Sequence, residues 1–310
     1  MIASHRQERP HMPENWCPFC TGSGKVPDEG FTVLRYLNDF PALSQTPPQP
    51  DDVATDLFKV KPAYGKCEVL LYSDRHTVTL GELDDAHVHK LAALWKEVFI
   101  EFSADKSIKY VYIFENRGEV VGVTMPHPHG QVYGYGYIPK KLAQEAESST
   151  EYYKETGRNL FCDLLAEEKR VNRRIVFENE HFTVYIPFFG QVAYGVYVTA
   201  NRQVPHIGAM TDWELNCLGE TIRGCAGMYD NLFGTVFPYM MCMHNAPVNS
   251  GDYDRSWQFH VEFVPPMRAA DKQQFFASSE TGAGAWCNPT SPEEKSLELK
   301  AAYGRYIKKG

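Results

Sequence analysis

Two stretches of this 310-residue chain carry the same succession of patterns, and such a repeat restricts the fold to two like halves. In the first, the apolar run Val69-Leu70-Leu71-Tyr72 reads as a strand. After Leu83, apolar residues at Val88, Leu91, Leu94, Trp95, Val98 and Phe102 keep the spacing of an amphipathic helix, opened by Asp84 or Asp85. Tyr110-Val111-Tyr112-Ile113-Phe114 reads as a second strand, and His127-Pro128-His129-Gly130-Gln131 leads into Val132 and Tyr133. In the second stretch, residues 194–199 read as a strand, and Thr211-Asp212-Trp213-Glu214 is a capping box. It opens a helix with Leu215, Leu218, Ile222, Cys225 and Met228 on one face. An aromatic run around Phe237-Pro238-Tyr239, a loop at 244–247 and a strand over 257–263 follow, so that His-x-His has become His260-x-Glu262. An internal duplication is the expectation; the competing reading is that strand, helix, strand recurs by chance in an α+β chain. Residues 140–157 read as a polar helical connection and 44–56 as a surface loop, so halves 1–147 and 148–310 are expected to form one intertwined unit.

Composition limits what those halves do. With 43% hydrophobic and 13% aromatic residues the chain can build a core, which excludes intrinsic disorder. Lysine plus arginine number 31 against 39 acidic residues, a net charge of −8, so a general nucleic-acid binder with a broad basic face is not the expectation. No run approaches the roughly 18 to 20 apolar residues that a membrane span needs, and residues 1–6 do not resemble a signal peptide. A cytoplasmic location is the expectation. Of 8 cysteines only Cys17 and Cys20 are closely spaced, which fits reduced thiols and one metal clip better than a disulfide framework.

Cys17-Pro18-Phe19-Cys20 lets two thiolates reach one tetrahedral ion at about 2.3 Å each, which is half a site. His76 and His127 are candidates for the other half; a redox pair or two incidental cysteines are the alternatives. On an extended segment His127, His129 and Gln131 share a face. An imidazole between a metal ligand and an amide suits attack on phosphorus, because neutral imidazole is well populated at pH 7.

Taken together, Cys17-x-x-Cys20, Asn38-Asp39-Phe40, Ser73-Asp74-Arg75-His76, Phe114-Glu115-Asn116-Arg117-Gly118, His127-Pro128-His129-Gly130-Gln131 and His260-x-Glu262-Phe263-x-Pro265-Pro266 resemble the galactose-1-phosphate uridylyltransferase family. This is the nucleotidyltransferase branch of the histidine-triad superfamily, and the resemblance runs from about residue 5 to residue 280. It implies an α+β fold of two histidine-triad-like halves whose strands form one open antiparallel half-barrel sheet with packed helices. It implies transfer of UMP from UDP-glucose to galactose 1-phosphate in two displacements, with His129 as the nucleophile that carries the uridylyl group. Gln131 stands where hydrolases of the superfamily have a third histidine; an amide can hold a phosphoryl oxygen but cannot protonate a leaving group or activate water.

The resemblance also assigns a zinc site to Cys17, Cys20, His76 and His127, and a second site, iron or zinc, to Glu145, His244, His260 and Glu262, the last in place of a histidine. Nucleotide contacts fall on Arg6, Arg9, Phe19, Asn38, Asp39, Asn116, Gly122, Thr124 and Gln131, and Glu280 is the match to a glutamate that holds sugar hydroxyls across a homodimer interface. Met125 stands where the family commonly has asparagine, and the segment near 275–280 lacks the family's lysine and tyrosine. The implied partners are UDP-glucose, UDP-galactose and hexose 1-phosphates, with no nucleic acid or membrane. Two other readings stand beside this one: an ADP-glucose-type adenylyltransferase or phosphorylase, and a zinc-stabilised nucleotide-binding module without catalysis.

Overall fold

The computed structural model describes residues 16–123 and 125–309. Among them, nine strands join into one sheet: β1 (Leu34–Leu37), β2 (Gly65–Leu71), β3 (Tyr110–Arg117), β4 (His129–Tyr135), β5 (Ile175–Glu178), β6 (Phe182–Tyr185), β7 (Val196–Ala200), β8 (Tyr239–His244) and β9 (His260–Val264). The helices are α1 (Asp85–Ala104), α2 (Lys140–Thr156), α3 (Leu160–Val171), α4 (Asp212–Asp230), α5 (Ser278–Ala283) and α6 (Pro292–Tyr306). The strand order is β1-β2-β4-β3-β8-β9-β7-β6-β5, and every pairing in it is antiparallel. Outward from the central β3–β8 pair the wings match, β4, β2 and β1 on one side against β9, β7 and β6 on the other. Helix α1 joins β2 to β3 as α4 joins β7 to β8, so each wing repeats strand, helix, strand, strand. The fold is α+β with an open antiparallel sheet.

Local sequence explains the two equivalent helices. Asp84 caps α1 by accepting the His87 N–H at 2.8 Å, worth about 1 kcal/mol. Thr211 and Glu214 cap α4 reciprocally. Their apolar stripes pack on one face of the sheet, where Val111, Ile113, Val132, Met241, Met243, Val261 and Phe263 are buried with Trp95, Phe102, Leu218 and Ile222. Strand alternation sends Tyr112, Phe114, His129, Gln131, Cys242, His244, His260 and Glu262 to the other face. There α2 covers part of the sheet, burying Leu142 and Ala146 against Tyr110 and Trp257. Among the described residues no helix is long and apolar enough to cross a membrane.

Two strand boundaries differ from expectation. Strand β7 starts at Val196, because Tyr194 takes a left-handed backbone, φ 60°, which no strand continues. Strand β9 starts at His260 rather than Trp257. The Gln258 amide donates to the carbonyls of Ala200 and Arg202 and accepts from Val204 N–H, which holds this stretch as a buried corner.

Candidate active site and metal clusters

His129 opens β4, paired with Leu71 of β2. Its Nδ1 lies 2.7 Å from the His127 carbonyl oxygen, which can only accept. The proton therefore sits on Nδ1, which puts the ring lone pair on Nε2. The Phe19 ring lies 5.6 Å from the His129 ring and 5.9 Å from that of His127, so the Cys17–Cys20 loop forms a wall of the site. Gln131, two residues along the same face, accepts the Tyr133 hydroxyl on Oε1 at 3.2 Å, which leaves its Nε2–H groups to donate.

In the same half as His129, Cys17, Cys20, His76 and His127 converge, their ligand atoms all within 4.8 Å of one another. Cys20 Sγ is 3.3 Å from His76 Nδ1 and 3.6 Å from His127 Nδ1, and Cys17 Sγ is 3.8 Å from His127 Nδ1. A tetrahedral zinc with sulfur at about 2.3 Å and nitrogen at about 2.0 Å sets sulfur and nitrogen roughly 3.6 Å apart, so these side chains fit such an ion. His127 Nε2–H donates to the Ser73 carbonyl at 2.7 Å, which turns the Nδ1 lone pair toward the sulfurs. Burial holds the His127 imidazole down to about 4, neutral at pH 7, and pushes the Cys17 thiol up to about 11. A bound cation would favour the thiolate of Cys17.

Glu145 of α2, His244 of β8, and His260 and Glu262 of β9 form a second cluster, again with ligand atoms within 4.8 Å of one another. His244 Nδ1 is 2.8 Å from Glu145 Oε2, and His244 Nε2 is 3.8 Å from Glu262 Oε2. His260 Nδ1 bonds the Gln258 carbonyl at 3.0 Å, while its buried Nε2 has no hydrogen-bond partner among the described residues and lies 4.0 Å from Glu262 Oε1. That orphaned nitrogen beside two carboxylates is what a divalent cation would satisfy.

The nucleotide candidates are placed unevenly. The Asp39 carboxylate Oδ2 accepts Lys25 Nζ at 2.7 Å and the Tyr36 hydroxyl at 2.9 Å. Tyr36 also packs on Phe19 at 5.2 Å, joining Asp39 to the site wall. Asn38 Oδ1 accepts the Phe40 N–H at 2.9 Å and shapes its own turn, leaving the amide nitrogen. Asn116 is on β3, and Gly122 ends a short 3-10 turn with φ 79°, a conformation that favours glycine. Arg6, Arg9 and Thr124 lie outside the described residues. Glu280 accepts the N–H groups of Ala277 and Cys287 at 3.0 and 3.2 Å, so the structure engages it within its own exposed segment and not at His129.

Sequence reasoning missed Lys25, Tyr36, Ser73, Tyr133 and Lys141. Only two had a readable signal: Tyr133 follows Gln131 at strand period, and Lys141 precedes Glu145 by one helical turn. Behind the site, the buried Glu115 carboxyl accepts the Tyr239 hydroxyl at 3.0 Å, and burial pushes it up to about 7.

Comparison with known proteins agrees with this geometry. The family described as "Galactose-1-phosphate uridyl transferase, N-terminal domain" matches residues 16–139, and its C-terminal domain matches residues 145–277. Galactose-1-phosphate uridylyltransferase of Thermotoga maritima is 33% identical over 97% of this chain and 94% of its own length; that of Saccharomyces cerevisiae is 32% identical over 90% and 85%. A solved uridylyltransferase structure superposes with a TM-score of 0.88 at 29% identity, covering 96% of this chain and 94% of that one. An ADP-glucose phosphorylase from Arabidopsis thaliana shares the fold, with a TM-score of 0.78 at 21% identity. The matched domains, the relatives and the shared fold give one conclusion: the chain belongs to the galactose-1-phosphate uridylyltransferase family.

Proposed function

We propose that this chain moves UMP between UDP-glucose and galactose 1-phosphate through a uridylyl group on His129. The hydrogen bond from His129 Nδ1 to the His127 carbonyl, 2.7 Å, carries the reading because it fixes the tautomer whose nucleophilic lone pair is on Nε2. In the first displacement the His129 Nε2–P bond forms as the bond from the α-phosphorus to the leaving phosphate oxygen breaks, releasing glucose 1-phosphate. In the second, a phosphate oxygen of galactose 1-phosphate attacks the same phosphorus, Nε2 leaves, and UDP-galactose forms. The backbone carbonyl stabilises the positive charge that the ring takes on while bonded to phosphorus. The first leaving group is a phosphate oxygen of low basicity and the second is the imidazole nitrogen of His129, so no general acid is required, and Gln131 serves as a donor to the phosphoryl oxygens.

Phe19 and Tyr36 wall the site, and Asp39, fixed by Lys25 and Tyr36, offers Oδ1 to a ribose hydroxyl. Asn116, Gly122, Thr124, Arg6 and Arg9 are assigned to the phosphates, and Glu280 to sugar hydroxyls from the partner protomer of a cytoplasmic homodimer. Cys17, Cys20, His76 and His127 hold zinc, and the second cluster holds iron or zinc. When bound, the zinc clamps the Cys17–Cys20 loop to the segment that presents His129. ADP-glucose is the competing donor. Incubation with nucleotide-labelled UDP-glucose or ADP-glucose, followed by desalting, tests the reading. Label retained from UDP-glucose and discharged by galactose 1-phosphate supports it, while label retained from ADP-glucose alone, or from neither, overturns it.

A further inference from the structure

The second cluster has a fifth member. Lys141, one turn before Glu145 on α2, sets Nζ 2.5 Å from Glu262 Oε2 and 3.9 Å from Glu145 Oε1. The Tyr197 hydroxyl takes the other oxygen of Glu262 at 2.7 Å, and the Glu262 side chain is only 5% exposed. Lys141 is 57% exposed, so its ammonium reaches the buried carboxylates from the solvent side and covers them.

Charge decides what this arrangement does. A buried carboxylate, Glu262, facing a half-buried one, Glu145, needs a cation, because bringing like charges together in a poorly hydrated site is unfavourable. The ammonium supplies one charge and bonds Glu262 Oε2, the oxygen that also faces His244 Nε2 at 3.8 Å. A divalent ion seated among Glu145, His244, His260 and Glu262 would take the same oxygen at about 2 Å. It would then stand within a few ångströms of the ammonium, and two cations that close repel. The long, half-exposed lysine stem can swing to water, whereas the carboxylates and imidazoles, buried on β8, β9 and α2, cannot.

We propose that Lys141 is the resident cation of this cluster: it stabilises the cluster without metal, and a divalent ion enters only by displacing it. The inference rests on the cluster's being a metal site, as read above, and makes Lys141 a determinant of its affinity. Cobalt(II) titration of metal-free protein tests it, because thiolate-to-cobalt absorption in the near ultraviolet reports the Cys17–Cys20 cluster, whereas the nitrogen and oxygen cluster gives only visible bands. Lys141→Met is expected to bind the second cobalt at least 10-fold more tightly than wild type, and to have a lower Tm than wild type without metal. Lys141→Arg, which keeps the charge, is expected to bind like wild type. Equal affinity in wild type and Lys141→Met, or an arginine variant as tight as the methionine variant, overturns the proposal alone. Absence of a second cobalt from all three proteins overturns the metal reading of the cluster, and the proposal with it.

Discussion

Gly130 stands between His129 and Gln131, and its substitution by alanine probes how tightly the strand under His129 is held. A Cβ at Gly130 would overlap the Tyr72 hydroxyl oxygen, and would lie 2.9 Å from Tyr72 Cζ and 3.1 Å from the Phe114 carbonyl oxygen. Relief needs a shift of roughly 1 Å, since unstrained heavy-atom contacts lie near 3.5 Å. Tyr72 cannot give way freely: it is fully buried, its ring meets Trp95 edge-on at 6.1 Å, and its N–H donates to the Pro128 carbonyl at 3.0 Å. The displacement therefore reaches the loop that carries His129. Overpacking of this kind costs about 1–3 kcal/mol of stability, and a 1 Å misplacement of a reacting group about 10²-fold in rate. Gly130→Ala should lose both, read by chemical denaturation and by transfer of label from UDP-glucose to galactose 1-phosphate. The buried Tyr72 hydroxyl faces the Glu115 carboxyl without a well-formed hydrogen bond, so Tyr72→Phe alone should cost about 1 kcal/mol or less. Combined with Gly130→Ala it should recover part of both losses, a coupling between touching residues of about 1 kcal/mol or more. A Gly130→Ala protein within twofold of wild-type activity and of unchanged stability would refute the argument.

Other perturbations separate the roles of neighbouring groups. Gln131→His keeps the nucleophile but replaces an amide donor with a group able to exchange protons, so transfer should fall about 10²- to 10³-fold while released UMP rises relative to UDP-galactose. Glu115→Gln should flatten the pH dependence of stability. The folded carboxyl titrates near 7 against an ordinary 4.5, so its contribution is present below 4.5 and is lost as pH rises through 7. Wild type should therefore lose about 2 to 3 kcal/mol relative to the variant between pH 5 and 8, measured by denaturant unfolding at each pH. Cys17→Ser should lower bound metal, read by elemental analysis, and a loss of about 2 kcal/mol would lower the Tm by roughly 4 to 8 °C; full metal content and unchanged Tm would refute the clamp.

The parts of the fold legible in the sequence were those set by local chemistry. Asp84 and the Thr211–Glu214 box mark the starts of α1 and α4, and the His-x-His and His-x-Glu strings identify equivalent strands in the two wings. Helix α6, capped by Ser291 with Pro292 at its first turn, was not read from the sequence; it packs Leu299 and Ala302 against α4. Contacts between distant segments were not legible. Nothing in the sequence pairs Lys25 with Asp39, or Ser73 with His127 across 54 residues, because such pairs follow from sheet register and loop path. The start of β9 failed for a related reason: Trp257, Gln258 and Phe259 have strand composition, but Gln258 is held by backbone groups from the β7 end. Glu280 shows the reverse. Its match by motif was readable, while the hydrogen bonds it accepts from the Ala277 and Cys287 N–H groups were not.

The central claim is that His129 Nε2 takes the uridylyl group, and intact-mass analysis followed by peptide mapping after brief exposure to UDP-glucose tests it most directly. One uridylyl adduct per chain, confined to the His129 peptide, acid-labile as a phosphorus–nitrogen bond should be, discharged by galactose 1-phosphate and absent from His129→Gly, is the expected result. An adduct on any other residue, or one that persists in His129→Gly, would contradict it.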